Sequence, residues 1–161
     1  MSTRGEELAK QFEDANAEFI RFVGTLTPQQ WSAKCPGEGW SVGVVAHHIA
    51  EDHGILSDLV KTIAAGGNVP PLTAEFINSL NADHSVRAVD CTRAETIEVA
   101  ESRGTEAARM LRGLSEQELS KTAVVPVLGG EVTAERLSEW LLIGHIGMHV
   151  PSIEEAISKQ G

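Results

Sequence analysis

At 161 residues, with 42% hydrophobic and 22% charged side chains, the chain is long enough to bury a core and too apolar for intrinsic disorder. Its net charge of −10, from 13 Lys and Arg against 23 Asp and Glu, would repel a phosphate backbone and argues against a nucleic-acid partner. No apolar run approaches the roughly 20 residues that span a bilayer, and Met1–Glu7 carries no signal-peptide core, so a cytoplasmic protein with no membrane partner is expected.

Leu8, Phe12, Ala15, Phe19, Phe22, Val23 and Leu26 recur at spacings of three and four, which predicts an amphipathic first helix. Thr27-Pro28-Gln29-Gln30 then supplies an N-cap, a first-turn proline and a capping-box glutamine for a short helix carrying Trp31. Cys35-Pro36-Gly37-Glu38-Gly39 reads as a turn. Ser41 caps the second long helix, whose inner stripe is Val45, His48, Ile49, Asp52, Ile55, Leu56, Leu59 and Ile63, and Gly66-Gly67 ends it.

Residues 68–91 form a long crossover. It opens on the breaker Asn68-Val69-Pro70-Pro71 and contains a short helix capped by Thr73, whose apolar pattern fades after Asn81. A capping box at Thr92 and Glu95 starts the third long helix, with Ile97, Ala100, Gly104, Ala107, Leu111 and Leu114 inward, a stripe small enough to admit a neighbouring helix closely. Ser115 begins one more helical turn. Val124–Val132 is strand-like, but Pro126 reduces it to an extended loop or an edge hairpin. Thr133 caps the last helix, which runs to about residue 159 with a kink expected at Pro151. The elements predict an all-α four-helix bundle, one domain over residues 1–161, with the long crossover between the second and third long helices. Cys35 and Cys91 are expected to be unpaired thiols.

Helix geometry sorts the histidines. At 100° per residue, His48 lies within about 40° of the centre of its helix's inner stripe, whereas His47 turns to water and His53 to the boundary. In the last helix, His145 and His149 fall near the centre of a stripe made by Leu137, Leu141, Leu142, Met148, Ile153 and Ala156. Two histidines four apart share one helix face, a spacing one metal ion can bridge. Three inward imidazoles, His48, His145 and His149, match a divalent-metal site with an open fourth position; the alternative is three hydrogen-bonded core histidines. Asp52, one turn after His48, reads as a carboxylate fixing a ligand tautomer, as a base, or as a structural hydrogen-bonding group. His84, beside Asp83, is expected on the surface, and Trp40 and Trp140 in the core.

The run Gly39-Trp40-Ser41-Val42-Gly43-Val44-Val45-Ala46-His47-His48-Ile49 resembles the tryptophan-led histidine motif of the DinB-like superfamily. The late His145-Ile146-Gly147-Met148-His149 is similar to that family's C-terminal metal motif, and Leu26–Trp31 to its turn after the first helix. The resemblance spans the chain in element order. It implies a bundle of up-down-down-up topology, often dimeric, with a divalent metal such as nickel or zinc held at His48, His145 and His149. It further implies either an S-transferase using a low-molecular-weight thiol such as mycothiol or bacillithiol, or a metal-dependent hydrolase, acting on a small molecule. Arg136-Leu137-Ser138-Glu139 only loosely matches the Arg-rich segment of the maleylpyruvate isomerase group, and the chain has no tyrosine to serve as an acid. A non-catalytic metal-binding bundle is the reading from a different class.

Overall fold

In the computed structural model, which describes residues 1–160, each helix up to the β-hairpin begins where a hydroxyl side chain accepts a backbone N–H. Thr3 caps α1 (Arg4–Gly24), Thr27 α2 (Pro28–Ser32), Ser41 α3 (Val42–Ala64), Thr73 α4 (Ala74–Arg87), Thr92 α5 (Arg93–Arg112) and Ser115 α6 (Glu116–Leu119). Each such cap stabilises its helix by about 1 kcal/mol. Strands β1 (Thr122–Val125) and β2 (Gly130–Thr133) pair antiparallel, with Pro126 in the intervening 3-10 turn, so the hairpin alternative holds. Thr133 then caps α7 (Ala134–Leu137), which widens into a π-helical segment at Ser138–Ile143 and tightens again as α8 (Gly144–Ser158).

Four long helices, α1, α3, α5 and α7–α8, form the bundle, and its directions follow from named contacts. Cys91 donates to the Gly43 carbonyl and Arg103 to that of Glu51, so α3 and α5 run parallel. Asn16 of α1 reaches His53 on α3 and the Ala100 carbonyl on α5, while Gly5 lies against the end of α5, so α1 opposes α5. Arg4 pairs with Glu135 and Glu139 at one end of the bundle, and Ile153 joins Phe19 and Val23 towards the other, which sets α8 parallel to α1. The topology is up-down-down-up, with α4 inside the crossover. A Cβ on Gly104 would collide with the Asn16 side chain, which is the close approach that the small-residue stripe of α5 predicts.

The apolar core divides in two. One cluster gathers Leu8, Phe12, Ile63, Leu111 and Leu137; the other gathers Phe19, Val23, Val45, Ile49 and Ile153. Between them Asn16, Asp52, His53 and His145 cross the bundle as a polar layer.

Several expectations change. α3 is enclosed on more than one side, so His53 is fully buried instead of at a boundary, Val60 and Ser57 are buried, and Ile55 is 48% exposed. α4 extends to Arg87, well past the fading of its apolar pattern. Trp140 is not core: it is 47% exposed, with the Arg136 guanidinium 5.1 Å from its ring centre. Met148 is also exposed. The last helix continues through Pro151, and its irregularity lies earlier, in the π segment, where Gly144 N–H bonds to the Glu139 carbonyl five residues back.

Asn16 donates to the Ala100 carbonyl at 2.9 Å and accepts from His53 Nε2 at 2.7 Å, tying three helices through one amide. Asn16→Ala strands both partners in the core and should cost about 3 kcal/mol in urea unfolding, with the m-value unchanged. Burial pushes the His53 imidazole down to about 4. The folded state therefore holds it neutral while the unfolded chain takes up a proton below about 6.5. Its contribution is present above pH 6.5 and lost as pH falls towards 4, and the slope of stability against pH over that window should flatten in His53→Gln.

Candidate metal centre

Two i, i+4 pairs on antiparallel helices, His48 and Asp52 of α3 and His145 and His149 of α8, meet across the polar layer. One ring nitrogen from each of His48, His145 and His149 lies within 4.8 Å of the other two. The Nε2 atoms of His145 and His149 stand 3.2 Å apart. Two nitrogens sharing a tetrahedral ion at 2.0–2.1 Å would be roughly 3.3 Å apart, so the spacing suits shared ligation. Asp52 Oδ2 is 3.5 Å from Nε2 of both His48 and His145. The carboxyl thus faces the histidine cluster itself.

Electrostatics favours neutral imidazoles. Burial, reinforced by neighbouring histidines, lowers His48 to about 3 and His145 to about 2. Such rings keep a lone pair for a metal at neutral pH. Burial also raises Asp52 to about 7, with Glu51 nearby adding to the effect. Asp52 and His149 keep 18% and 17% of their side-chain surface exposed, so the cluster is reachable from one side. Trp40 walls the other, edge-on to His48 at 5.7 Å between ring centres.

Glu38 completes the arrangement, and sequence reasoning passed over it as a turn residue. Its Oε1 accepts from His149 Nδ1 at 2.9 Å and its Oε2 from Ser152 Oγ at 2.6 Å. A carboxylate can only accept here, so the proton sits on Nδ1 and Nε2 presents its lone pair to His145 and the cluster. The turn holding Glu38 is closed by Gly39 N–H to the Cys35 carbonyl, and Gly39 adopts φ 76°, a left-handed conformation suited to glycine. The signal for Glu38 was topological: antiparallel packing carries the α8 segment after His149 past the loop that precedes α3. These donors fit a divalent transition metal.

Two further histidines depart from expectation. His47 is half-buried instead of turned to water, and His84 is buried instead of on the surface; the two rings meet each other, beside Glu51. Arg136 stands on the surface, away from the cluster. Cys35 and Cys91 are unpaired, and burial pushes the Cys35 thiol up to about 11, so it is no nucleophile at neutral pH.

Residues 12–143 match the family model described as the mycothiol maleylpyruvate isomerase N-terminal domain. Among solved structures, YfiT from Bacillus subtilis, described as a probable metal-dependent hydrolase with an unusual four-helix bundle topology, superposes with a TM-score of 0.74 at 19% identity, over 98% of this chain and 87% of that one. The mycothiol-dependent maleylpyruvate isomerase superposes with a TM-score of 0.71 at 19% identity, and a histidine-to-alanine mutant of that enzyme with 0.72 at 16%. Each of the latter two covers 95% of this chain, which spans only 63% of theirs. At these identities the likeness is one of fold. A comparison with curated protein sequences finds no match.

If Glu38 sets the His149 tautomer, nitrogen-15 NMR of the imidazoles should report His149 protonated at Nδ1 in the wild type and a tautomer mixture in Glu38→Ala. An unchanged His149 pattern would remove Glu38 from that role.

Proposed function

Because the chain belongs to the mycothiol maleylpyruvate isomerase N-terminal domain family, within the DinB-like superfamily, we propose that it is a metal-dependent S-transferase that joins a low-molecular-weight thiol, through its sulfur, to an electrophilic small molecule. His48, His145 and His149 would hold the ion, zinc or nickel by donor chemistry, and mycothiol or bacillithiol would be the thiol. The observation that carries the reading is the convergence of three imidazoles, two of them (His48 and His145) held neutral by burial, on a space that the Asp52 carboxyl also faces. Bound there, the ion would supply the Lewis acidity that makes a thiol ionise at neutral pH.

The chain's own residues do the rest. Glu38 and Ser152 hold the His149 ring in place. Trp40 keeps water from the far side of His48. Asp52 Oδ2 is placed to take the proton that the thiol sheds, and its elevated affinity for a proton suits it to a base working near neutral pH. A bound cation would draw that affinity down, so the acid limb of the rate profile falls at or below pH 7.

The same Asp52 favours a second reading, metal-dependent hydrolysis, in which its Oδ2 takes a proton from water instead. A homodimer in the cytoplasm belongs to the proposal as well, with the exposed Trp140 and Met148 of the last helix available to an interface.

Protein purified without a His-tag should carry a transition metal, and His145→Ala/His149→Ala should weaken its retention at least tenfold. Metal-loaded wild type should consume mycothiol or bacillithiol with an electrophile panel; no consumption of either thiol sinks the transferase reading, and cleavage of an ester or amide panel would put the hydrolase in its place. In the active assay Asp52→Asn should keep the metal but lose about 100-fold in turnover together with the acid limb. A variant that keeps both rate and limb removes Asp52 as the base.

A further inference from the structure

α4 is an unusual crossover helix, because its only buried residue among those described is a histidine. Phe76 and Leu80, two of its large apolar side chains, are 38% and 47% exposed. His84 is 3% exposed, and its ring lies against His47 and Glu51, an i, i+4 pair on α3. Ile77 packs half-buried against the core near the start of α4, and near its end a polar contact at His84 seats the helix.

We propose that His47, Glu51 and His84 form a second divalent-cation site, separate from the His48, His145 and His149 cluster, which fastens α4 to α3. Donor atoms from the three residues lie within 4.8 Å of one another. His47 Nδ1 is 2.9 Å from His84 Nε2, and Glu51 Oε2 is 3.5 Å from the same Nε2. Three acceptor-capable atoms converge on ground where the rings have at most one proton to share. One proton serves one of these approaches well and the other poorly; a cation serves all three.

The burial of His84 points the same way. Its Nδ1 has no hydrogen-bond partner, so whatever offsets removing the ring from water has to come through Nε2. Glu51 divides its work: Oε1 faces Arg87 at 3.5 Å, leaving Oε2 for the cluster. Arg87 is itself held by Asp83 at 2.8 Å, so its charge is shared between two carboxylates. Two imidazoles and one carboxylate are the donor set of a borderline ion such as zinc, and not of magnesium or calcium, which take oxygen. A cavity of about 230 Å3 lined by His47, Arg87, Asp90, Cys91 and Glu95 opens beside the cluster at His47. The two clusters are neighbours, since the His84 ring is centred 5.4 Å from that of His48.

The test uses full-length, untagged protein stripped with chelator and dialysed against zinc. The wild type should retain about two equivalents, and His145→Ala/His149→Ala, Glu51→Gln and His84→Gln about one each. In the His145→Ala/His149→Ala background, zinc should slow amide hydrogen exchange across residues 74–87 at least tenfold, and adding Glu51→Gln should abolish that protection. Wild type retaining one equivalent, with Glu51→Gln indistinguishable from it, overturns the second site. So does a folded His145→Ala/His149→Ala protein that retains no zinc. Failure of the first cluster looks different: His145→Ala/His149→Ala then retains as much zinc as the wild type. Circular dichroism checks the fold of each variant, and Glu51→Gln decides the matter if His84→Gln does not fold.

Discussion

The structure depends on how α3 satisfies its own polar side chains. Within residues 47–53 it carries His47, His48, Glu51, Asp52 and His53, none of them exposed. Each needs a partner, because an imidazole or carboxyl removed from water without one costs several kcal/mol. The helix is ringed by others, so partners come from several directions: Asn16 on α1 for His53, His145 on α8 for Asp52, and His84 on α4 for both His47 and Glu51, while Arg103 on α5 donates to the Glu51 backbone carbonyl. Two apolar clusters supply cohesion but little direction, and the polar layer between them fixes which helix meets which.

Viewed this way, the candidate metal centre and the rest of the fold share one cause. A layer of neutral imidazoles is stable at neutral pH and vulnerable below it, since burial lowers the proton affinity of His48, His53 and His145 alike. The desolvation that keeps the rings neutral also keeps their lone pairs free. Burial thus prepares these side chains for a cation by the same physics that makes them a liability in acid.

Much of this was legible in the sequence wherever one physical rule acts alone. Caps at Thr27, Ser41, Thr73, Thr92, Ser115 and Thr133 were readable because a hydroxyl before a helix has one local task. His48, His145 and His149 were readable because each lies near the middle of an apolar stripe, and the structure brings their rings together. His47 and His53 were misplaced because a helical wheel assumes one buried face, and α3 has several. His84 was misplaced because α4 is seated by a polar residue that apolar periodicity ignores, although the i, i+4 spacing of His47 and Glu51 was a clue to a partner. Ile55, Trp140 and Met148 err in the opposite direction: apolar character was equated with burial, whereas Trp140 stays outside under Arg136. Glu38 lies in a turn, where no periodicity exists to read.

The wide turn at Ser138–Ile143 has a consequence for how this last helix tolerates changes in length. A π turn takes one more residue than an α turn to go once around the axis, so it absorbs an extra residue without shifting the phase of the helix beyond it. Arg4 clamps Glu135 before it and Glu139 at its start, and the histidine pair lies beyond its end. Deleting a single residue inside it would leave that phase unchanged. Winding the same residues as regular α-helix would be an apparent improvement in local geometry. It would also rotate His145 and His149 together by about 100° relative to that clamp, keeping their mutual spacing while carrying both away from α3. The irregular turn therefore acts as the phase setting between a fixed anchor and a functional face, and a more regular helix would be the poorer one.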